Sequence, residues 1–311
     1  MLHQPLVAVV GADGFVGNGL ARALGAERIV YGPVGPGEVH VGASAPLLGR
    51  AEVVVVAHGF RVRPGCSLED YRRSHQGATA ALVPHLREGA LVLHVSSASV
   101  LGKGVGLGNA SPPNPQTFPS PSYALAKLEE DRYLERVAGE RGLRVVFLRP
   151  AVVYSAQGAG MVGTLLRLAR KGITLRLYPR EARHHLCHMD LLAEVARRVV
   201  SRIDLPDRSC LVVADPDTVT NRELEEMTRP ARRKLGVTVP LPLPWMSALL
   251  RHAPRSSRPQ LDLRTRGEIF GVLHMDTVYD PSETMRLLGI DPAEYTLEKK
   301  LAPVVAEALR S

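Results

Sequence analysis

One stretch near the start of the chain narrows the possible folds more than any other. Pro5-Leu-Val-Ala-Val-Val10 is an apolar run of strand length that passes directly into Gly11-Ala-Asp-Gly14-Phe-Val-Gly17 and then into a helix-forming run, Asn18 to Leu24. A short apolar run bounded by glycines reads as a fully buried strand, so the order is strand, glycine-rich turn, helix. Gly11 permits the tight turn, Gly14 lets backbone approach a pyrophosphate, and Gly17 lets the helix pack closely on the strand. The first turn of the helix then offers unpaired N–H groups to phosphate. A glycine-rich turn without a ligand is the competing reading, and the strand–turn–helix context tells against it. The pattern predicts dinucleotide binding.

The first half of the chain continues the alternation. Strand-like runs fall at Ile29 to Tyr31, Glu52 to Ala57, Leu91 to Ser96 and Val145 to Leu148, with helical runs at Leu68 to Leu86 and Tyr123 to Ala138. Such alternation predicts an α/β fold of the Rossmann type, a doubly wound parallel sheet with ligands at the strand C-termini. The stretch from Gly102 to Pro121, rich in Gly, Pro, Asn and Ser, is expected to be an irregular loop beside the site. Met161 to Arg170 reads as a helix, and Leu211 to Ala214 as a last sheet strand. Residues 1–155 are therefore expected to form the nucleotide-binding domain, with 183–214 returning to it. Residues 156–182 and the Pro- and Arg-rich 215–311 are expected to form a smaller α/β cap over the substrate.

The chemistry is carried by Ser122-Tyr-Ala-Leu-Ala-Lys127 together with a serine-rich strand end, His94-Val-Ser-Ser-Ala-Ser-Val-Leu-Gly102. On a helix, residues at i and i+4 lie on one face, so the Lys127 ammonium can sit near the Tyr123 phenol. A nearby cation favours phenolate and lowers a tyrosine pKa from about 10. Tyr123 then exchanges a proton with a substrate hydroxyl or carbonyl, and a serine hydroxyl at the strand end holds the same oxygen. A solvated helix face is the bland alternative for Tyr-x-x-x-Lys alone.

With both motifs in hand, nearly the whole chain resembles the short-chain dehydrogenase/reductase superfamily, in its extended branch of nucleotide-sugar epimerases, dehydratases and ketoreductases. The branch's Gly-x-x-Gly-x-x-Gly falls on Gly11, Gly14 and Gly17, and its Ser/Thr, Tyr and Lys triad on Ser97, Tyr123 and Lys127, with Ser96 and Ser99 as neighbouring alternatives for the serine. Phe147-Leu-Arg-Pro-Ala-Val-Val-Tyr154 is similar to the branch's Leu-Arg-Pro…Val-Tyr-Gly strand, with Ser155 in place of the glycine. Arg183-His-His-Leu-Cys-His-Met-Asp190 resembles an Arg-Asp-Phe-x-His-Val-x-Asp segment, and Asp280 to Gly289 the branch's C-terminal helix. The resemblance implies a cofactor site of Gly11, Asp13, Gly14, Phe15, Val16, Gly17, Ala57, His58, Tyr123, Lys127 and Pro150. It implies substrate contacts from Ser99, Arg183 and Arg258, with Arg183 near a diphosphate and His188 and Asp190 structural.

Departures from the branch matter as much. Where its 4,6-dehydratases carry an Asp-Glu pair, this chain has Ala98 and Ser99, which argues against dehydration. Where many relatives carry an asparagine before the serine strand, this chain reads Ser74-His-Gln-Gly-Ala78, leaving Ser74 or His75 as a substitute, or His75 as a structural residue. No acidic residue ends the second strand (Ile29-Val-Tyr-Gly-Pro33), which weakens NAD and leans the cofactor toward NADP, with Arg28 able to reach it only if the loop folds back. Four functions stay in view. They are a nucleotide-sugar ketoreductase as the main reading, a nucleotide-sugar epimerase with tightly bound NAD, a reductase of another small carbonyl compound, and a non-catalytic NAD(P)-sensing protein.

Composition sets the remaining expectations. The chain has 311 residues with 45% hydrophobic and 23% charged content, long enough for a Rossmann domain plus a cap. A formal net charge of +8 comes from dispersed arginines without interleaved aromatics, so nucleic acid is not expected and an anionic cofactor and nucleotide-diphosphate sugar are. Cys66, Cys187 and Cys210 have no metal spacing, and no metal is expected even where Cys187 sits among His184, His185 and His188. No apolar run reaches membrane-span length and no leader is legible, so a cytoplasmic protein with no membrane partner is expected. A homodimer through the helices at 68–86 and 123–138 is possible.

Overall fold

The computed structural model describes residues 4–29, 44–62, 64–156, 160–201, 205–228, 237–254, 256 and 262–310. Its strands are β1 (Val7–Val10), β2 (Glu27–Ile29), β3 (Val53–Val56), β4 (Leu91–Val95), β5 (Gly104–Leu107), β6 (Arg144–Pro150), β7 (Val152–Tyr154) and β8 (Ile173–Tyr178). They continue with β9 (Arg183–His188), β10 (Ser209–Val213), β11 (Thr218–Thr220), β12 (Val237–Pro242) and β13 (Thr277–Tyr279).

Six strands form one parallel sheet in the order β10-β6-β4-β3-β1-β2. Strands such as Val53-Val-Val-Val56 are buried along their whole length, the pattern of β-branched residues covered on both faces of a parallel sheet. On one face, Leu20 and Ala21 of the helix Phe15–Leu24 share a core with Leu191, Leu192 and Val195 of the helix Met189–Ser201. On the other face, Leu134, Val137 and Ala138 of the helix Pro121–Arg141 pack with Leu82, Val83 and Leu86. The α/β Rossmann-type architecture read from the sequence is the one observed.

The order places the site. From β1 the chain moves outward to β2, then crosses back so that β3 lies on the other side of β1. This reversal opens a crevice beyond the C-terminal ends of β1 and β3. The register aligns Val10 with Val56, Val56 with His94, and Val95 with Leu148, so Gly11, Ala57, Ser96 and Pro150 crowd one edge of the sheet.

Elsewhere the structure corrects the reading. Residues 102–121 are not an irregular loop throughout, because β5 pairs in parallel with β13 in a second sheet, ordered β11-β9-β13-β5 with β7 against β9. A short edge strand containing Gly104 and Gly106 carries little local strand signal, and its pairing partner lies some 170 positions along the chain. The helical run from Leu68 is interrupted by a π-turn at Arg73–Gly77 and ends in a 3-10 turn at Val83–His85. Of residues 183–214, the helix Met189–Ser201 and β10 serve the main sheet, whereas β9 belongs to the second. Among the described residues, no helix is long and apolar enough to cross a membrane.

Candidate active site

The glycine-rich turn is shaped for close approach. Gly11 has φ +82°, and a Cβ there would lie 2.8 Å from the Ala57 carbonyl oxygen and 2.9 Å from His58 Cα. A Cβ at Gly17 would lie 2.1 Å from the Gly11 carbonyl oxygen. The turn is fixed by Gly11 N–H donating to the Ile29 carbonyl (3.0 Å) and Gly14 N–H donating to the Gly11 carbonyl (3.0 Å). Gly14 caps the helix Phe15–Leu24 without a side-chain hydrogen bond, and the first turn holds no acidic residue. The first-turn N–H groups around Phe15, Val16 and Gly17 thus have no helical acceptor and no competing carboxylate. This arrangement fits a dinucleotide pyrophosphate. Asp13 is exposed beside it.

Two cofactor-side residues sit differently from expectation. Arg28 lies within β2, and its guanidinium donates to the Ala12 carbonyl at 2.6 Å, so it reaches the turn directly with no folding back of a loop. His58 presents only backbone to the turn, because its ring is turned inward between the Ser74 carbonyl (3.2 Å) and Thr79 Oγ1 (2.9 Å).

The structure brings Ser97, Tyr123 and Lys127 together. Ser97 caps the 3-10 turn Ala98–Leu101 and accepts from the Ser99 N–H (3.2 Å) and the Ser99 hydroxyl (2.9 Å). The Ser97 hydroxyl lies near enough to the Tyr123 phenol to pull its ionisation down. Ser96 is committed elsewhere, donating to Asp131 Oδ2 at 2.9 Å. Ser99 is buried and supports Ser97. The Tyr123 ring is held edge-on by Tyr71 (5.7 Å between centroids) and His75 (5.8 Å).

The electrostatics differ from the simple picture of a cation lowering a phenol. Lys127 is only 3% exposed, and its ammonium donates to the Val95 carbonyl (3.1 Å) and Glu130 Oε2 (3.0 Å). Burial pushes the Tyr123 phenol up, while Lys127 and Ser97 pull it down and Glu130 and Asp131 add to the rise, for a net increase. With the ammonium paired to a carboxylate, the resting Tyr123 is a neutral phenol.

Glu130 is the residue that sequence reading missed. It is fully buried, accepts from the Thr79 hydroxyl at 2.6 Å, and is ringed by His94 Nε2 at 3.5 Å, His75 Nδ1 at 3.6 Å and His58 Nε2 at 3.9 Å. The i, i+3 spacing from Lys127 was the available signal. Alongside, Asp131 lies 3.5 Å from Arg149 Nη2 and 3.2 Å from His94 Nε2.

The segment at Arg183 divides. Arg183 is exposed at the start of β9, where its N–H donates to Asp276 Oδ1 at 2.8 Å. The three histidines that follow are structural. His184 sits 3.1 Å from both Thr277 Oγ1 and Asn221 Oδ1, His185 Nδ1 accepts from the Tyr279 N–H (2.8 Å), and His188 Nδ1 accepts from the Asp190 N–H (3.1 Å). No metal-binding group occurs among the described residues. Arg258 lies outside the described residues.

Behind this segment Asp215 is buried, accepting from the Tyr154 hydroxyl and the His188 N–H, both at 2.8 Å. Burial pushes its carboxyl up from 3.8 to about 6 against those hydrogen bonds. A carboxyl raised on folding contributes stability that is present below its unfolded value near 3.8 and is lost as pH rises through about 6. The displacement corresponds to about 3 kcal/mol. Urea unfolding at pH 4 and pH 7 is expected to give the native chain about 2 kcal/mol of that on acidification relative to Asp215→Asn, since the unfolded carboxyl is already partly protonated at pH 4. Parallel pH dependences for the two proteins would show that Asp215 does not titrate on folding in this range.

The sequence model of the NAD dependent epimerase/dehydratase family matches residues 51–209, which take in Ser97, Tyr123 and Lys127. The chain is similar to the UDP-glucose 4-epimerase of Vibrio cholerae, 25% identical over 190 residues that cover 54% of this chain and 58% of that protein. It thus spans under two thirds of the length of that relative. In fold it is similar to the UDP-glucuronic acid 4-epimerase of Bacillus cereus in complex with UDP-glucuronic acid and NAD, with a TM-score of 0.73, 15% identity and 98% of each chain covered. It is also similar to the UDP-N-acetylglucosamine 4-epimerase of Methanobrevibacter ruminantium, with a TM-score of 0.73, 18% identity and 99% of each chain covered.

Proposed function

This chain belongs to the NAD dependent epimerase/dehydratase family, and from that premise we propose that it epimerises the sugar of a nucleotide diphosphate with a retained NAD. The observation that carries the reading is the gathering of Ser97 and Tyr123 beside a charged, buried Lys127, at the same sheet edge as the glycine-rich turn. As phenolate, which the Lys127 ammonium and the positive charge of a bound nicotinamide would favour over the resting phenol, Tyr123 accepts the proton of a sugar hydroxyl and later returns it, so no net proton is needed. Ser97 holds the reacting oxygen, and the Lys127 ammonium stabilises the phenolate before it takes the proton and again when it has given it back. Gly11, Gly14 and the first-turn N–H groups of the helix Phe15–Leu24 would hold NAD, which would supply reversible hydride transfer at the same sugar carbon.

The similarity to UDP-sugar 4-epimerases supports this reading over the ketoreductase that the sequence first suggested. NAD in the similar Bacillus cereus enzyme weighs against the lean to NADP, although Arg28 at the turn keeps a cation close to where an adenosine ribose would sit. Arg183 and the cap, residues 156–182 and 215–311, are the parts we assign to the nucleotide diphosphate.

The cofactor content tests the reading. Protein purified without added dinucleotide, then denatured, is expected to release NAD in near one-to-one ratio and to interconvert C4-epimeric UDP-sugars with no net change at 340 nm. A site that purifies empty, binds NADPH reversibly and consumes it with a keto sugar would replace the epimerase with the ketoreductase.

A further inference from the structure

Behind Tyr123 a buried ion pair is left over from the reaction just described. Lys127 Nζ has two of its three protons committed, to Val95 O and to Glu130 Oε2. A buried ammonium with no anion beside it loses its proton readily. The charged and titratable groups that face the pair among the described residues come from several elements. Tyr123 and Asp131 come from the same helix, His58 from the end of β3, His75 from the π-turn, His94 from β4, and Arg149 from β6. Burial pushes His58 down to about 4 and His75 well below its ordinary value, so these two supply no lasting positive charge. Asp131 is already engaged by Ser96 and lies against Arg149. Among the described residues, Glu130 is the one anionic group hydrogen bonded to the ammonium.

We propose that Glu130 is a positioning residue that fixes Lys127 beneath Tyr123 and keeps its ammonium charged in the buried site. Thr79 orients the carboxylate through Oε1 and leaves Oε2 for Lys127. Glu130 acts on Tyr123 in two opposed ways, since its own charge disfavours phenolate while the cation it maintains favours it. Lys127 outweighs Glu130 in its effect on the phenol, so loss of Glu130 leaves Tyr123 harder to ionise once Lys127 has discharged. The proposal rests on Tyr123 as the acid/base of the proposed reaction, but the charge on Lys127 can be read without any substrate.

The chain has six lysines, so a protein labelled with 13C at lysine Cε gives a short NMR spectrum in which the signal lost in Lys127→Met is that of Lys127. In the unsubstituted protein this signal is expected to stay that of an ammonium past about pH 10. In Glu130→Gln its midpoint is expected at least ten-fold lower in proton affinity, and the alkaline limb of turnover with a UDP-sugar is expected to move down with it. Should Glu130→Gln fail to fold by circular dichroism, Glu130→Asp, shorter by one methylene, must lower the midpoint by a smaller amount. An unchanged Lys127 midpoint in whichever variant folds overturns the proposal. A chain that turns over no UDP-sugar, yet whose Lys127 midpoint falls as stated, overturns the proposed reaction and leaves the role of Glu130 standing.

Discussion

Tyr123→Phe is expected to lower turnover by roughly 100- to 10,000-fold, the range for removal of a positioned acid/base, while dinucleotide affinity changes by no more than about two-fold. The substitution deletes a single hydroxyl. The ring keeps its edge-on contacts with Tyr71 and His75, and the Lys127 ammonium keeps its bonds to Val95 and Glu130, so the shape of the site and its buried ion pair persist. What disappears is the proton carrier beside Ser97. Titration with NAD and steady-state turnover of UDP-glucose measure the two halves separately. Turnover within ten-fold of the unsubstituted protein would remove Tyr123 from the chemistry. A matching loss of cofactor affinity would mean instead that the phenol is part of the dinucleotide site.

What could be read from the sequence was what depends on local spacing. Gly11, Gly14 and Gly17 declare a turn because their period is set by one strand end and one helix start, and the structure puts them there. Tyr123 and Lys127 share a helix face because they are four apart. Choosing Ser97 over Ser96 and Ser99 needed the structure, since Ser96 turns to Asp131 and Ser99 to Ser97 only once β4 lies beside the helix Pro121–Arg141. The charge state of Tyr123 was misjudged for a similar reason. The spacing supplies the cation and, at i+3, its counter-ion Glu130, whereas the burial that raises the phenol comes from side chains gathered around the helix from the end of β3, from β4 and from the π-turn. His75 illustrates the limit most clearly, because the π-turn at Arg73–Gly77 is what carries a helical residue into the cluster, and no propensity marks such a turn in advance.

Gly17→Ala is expected to be the most damaging single change in the cofactor half of the site, lowering NAD affinity at least 100-fold and stability by about 3 kcal/mol, the upper end for an overpacked interior position. The added carbon would stand 2.1 Å from the Gly11 carbonyl oxygen and 2.7 Å from its carbon. Both atoms are backbone, so no side-chain rotation relieves the clash. That carbonyl also accepts the Gly14 N–H, and Gly11 itself is tied to Ile29, so moving it dismantles the turn and swings the first helical N–H groups away from a bound pyrophosphate. Two other glycines calibrate the effect. Gly14 would meet the same carbonyl at 3.3 Å, a contact that a small displacement accommodates. Gly25, with φ +58° and nothing within 4 Å of a Cβ, carries only the backbone cost of a left-handed alanine, about 1 kcal/mol. Thermal unfolding and NAD titration of the three alanine variants should therefore rank Gly17 far above the others for binding, with Gly25→Ala binding NAD normally. Normal NAD binding by Gly17→Ala would mean that the helix does not sit on the turn as closely as the 2.1 Å approach requires, and the pyrophosphate would then have to be held elsewhere.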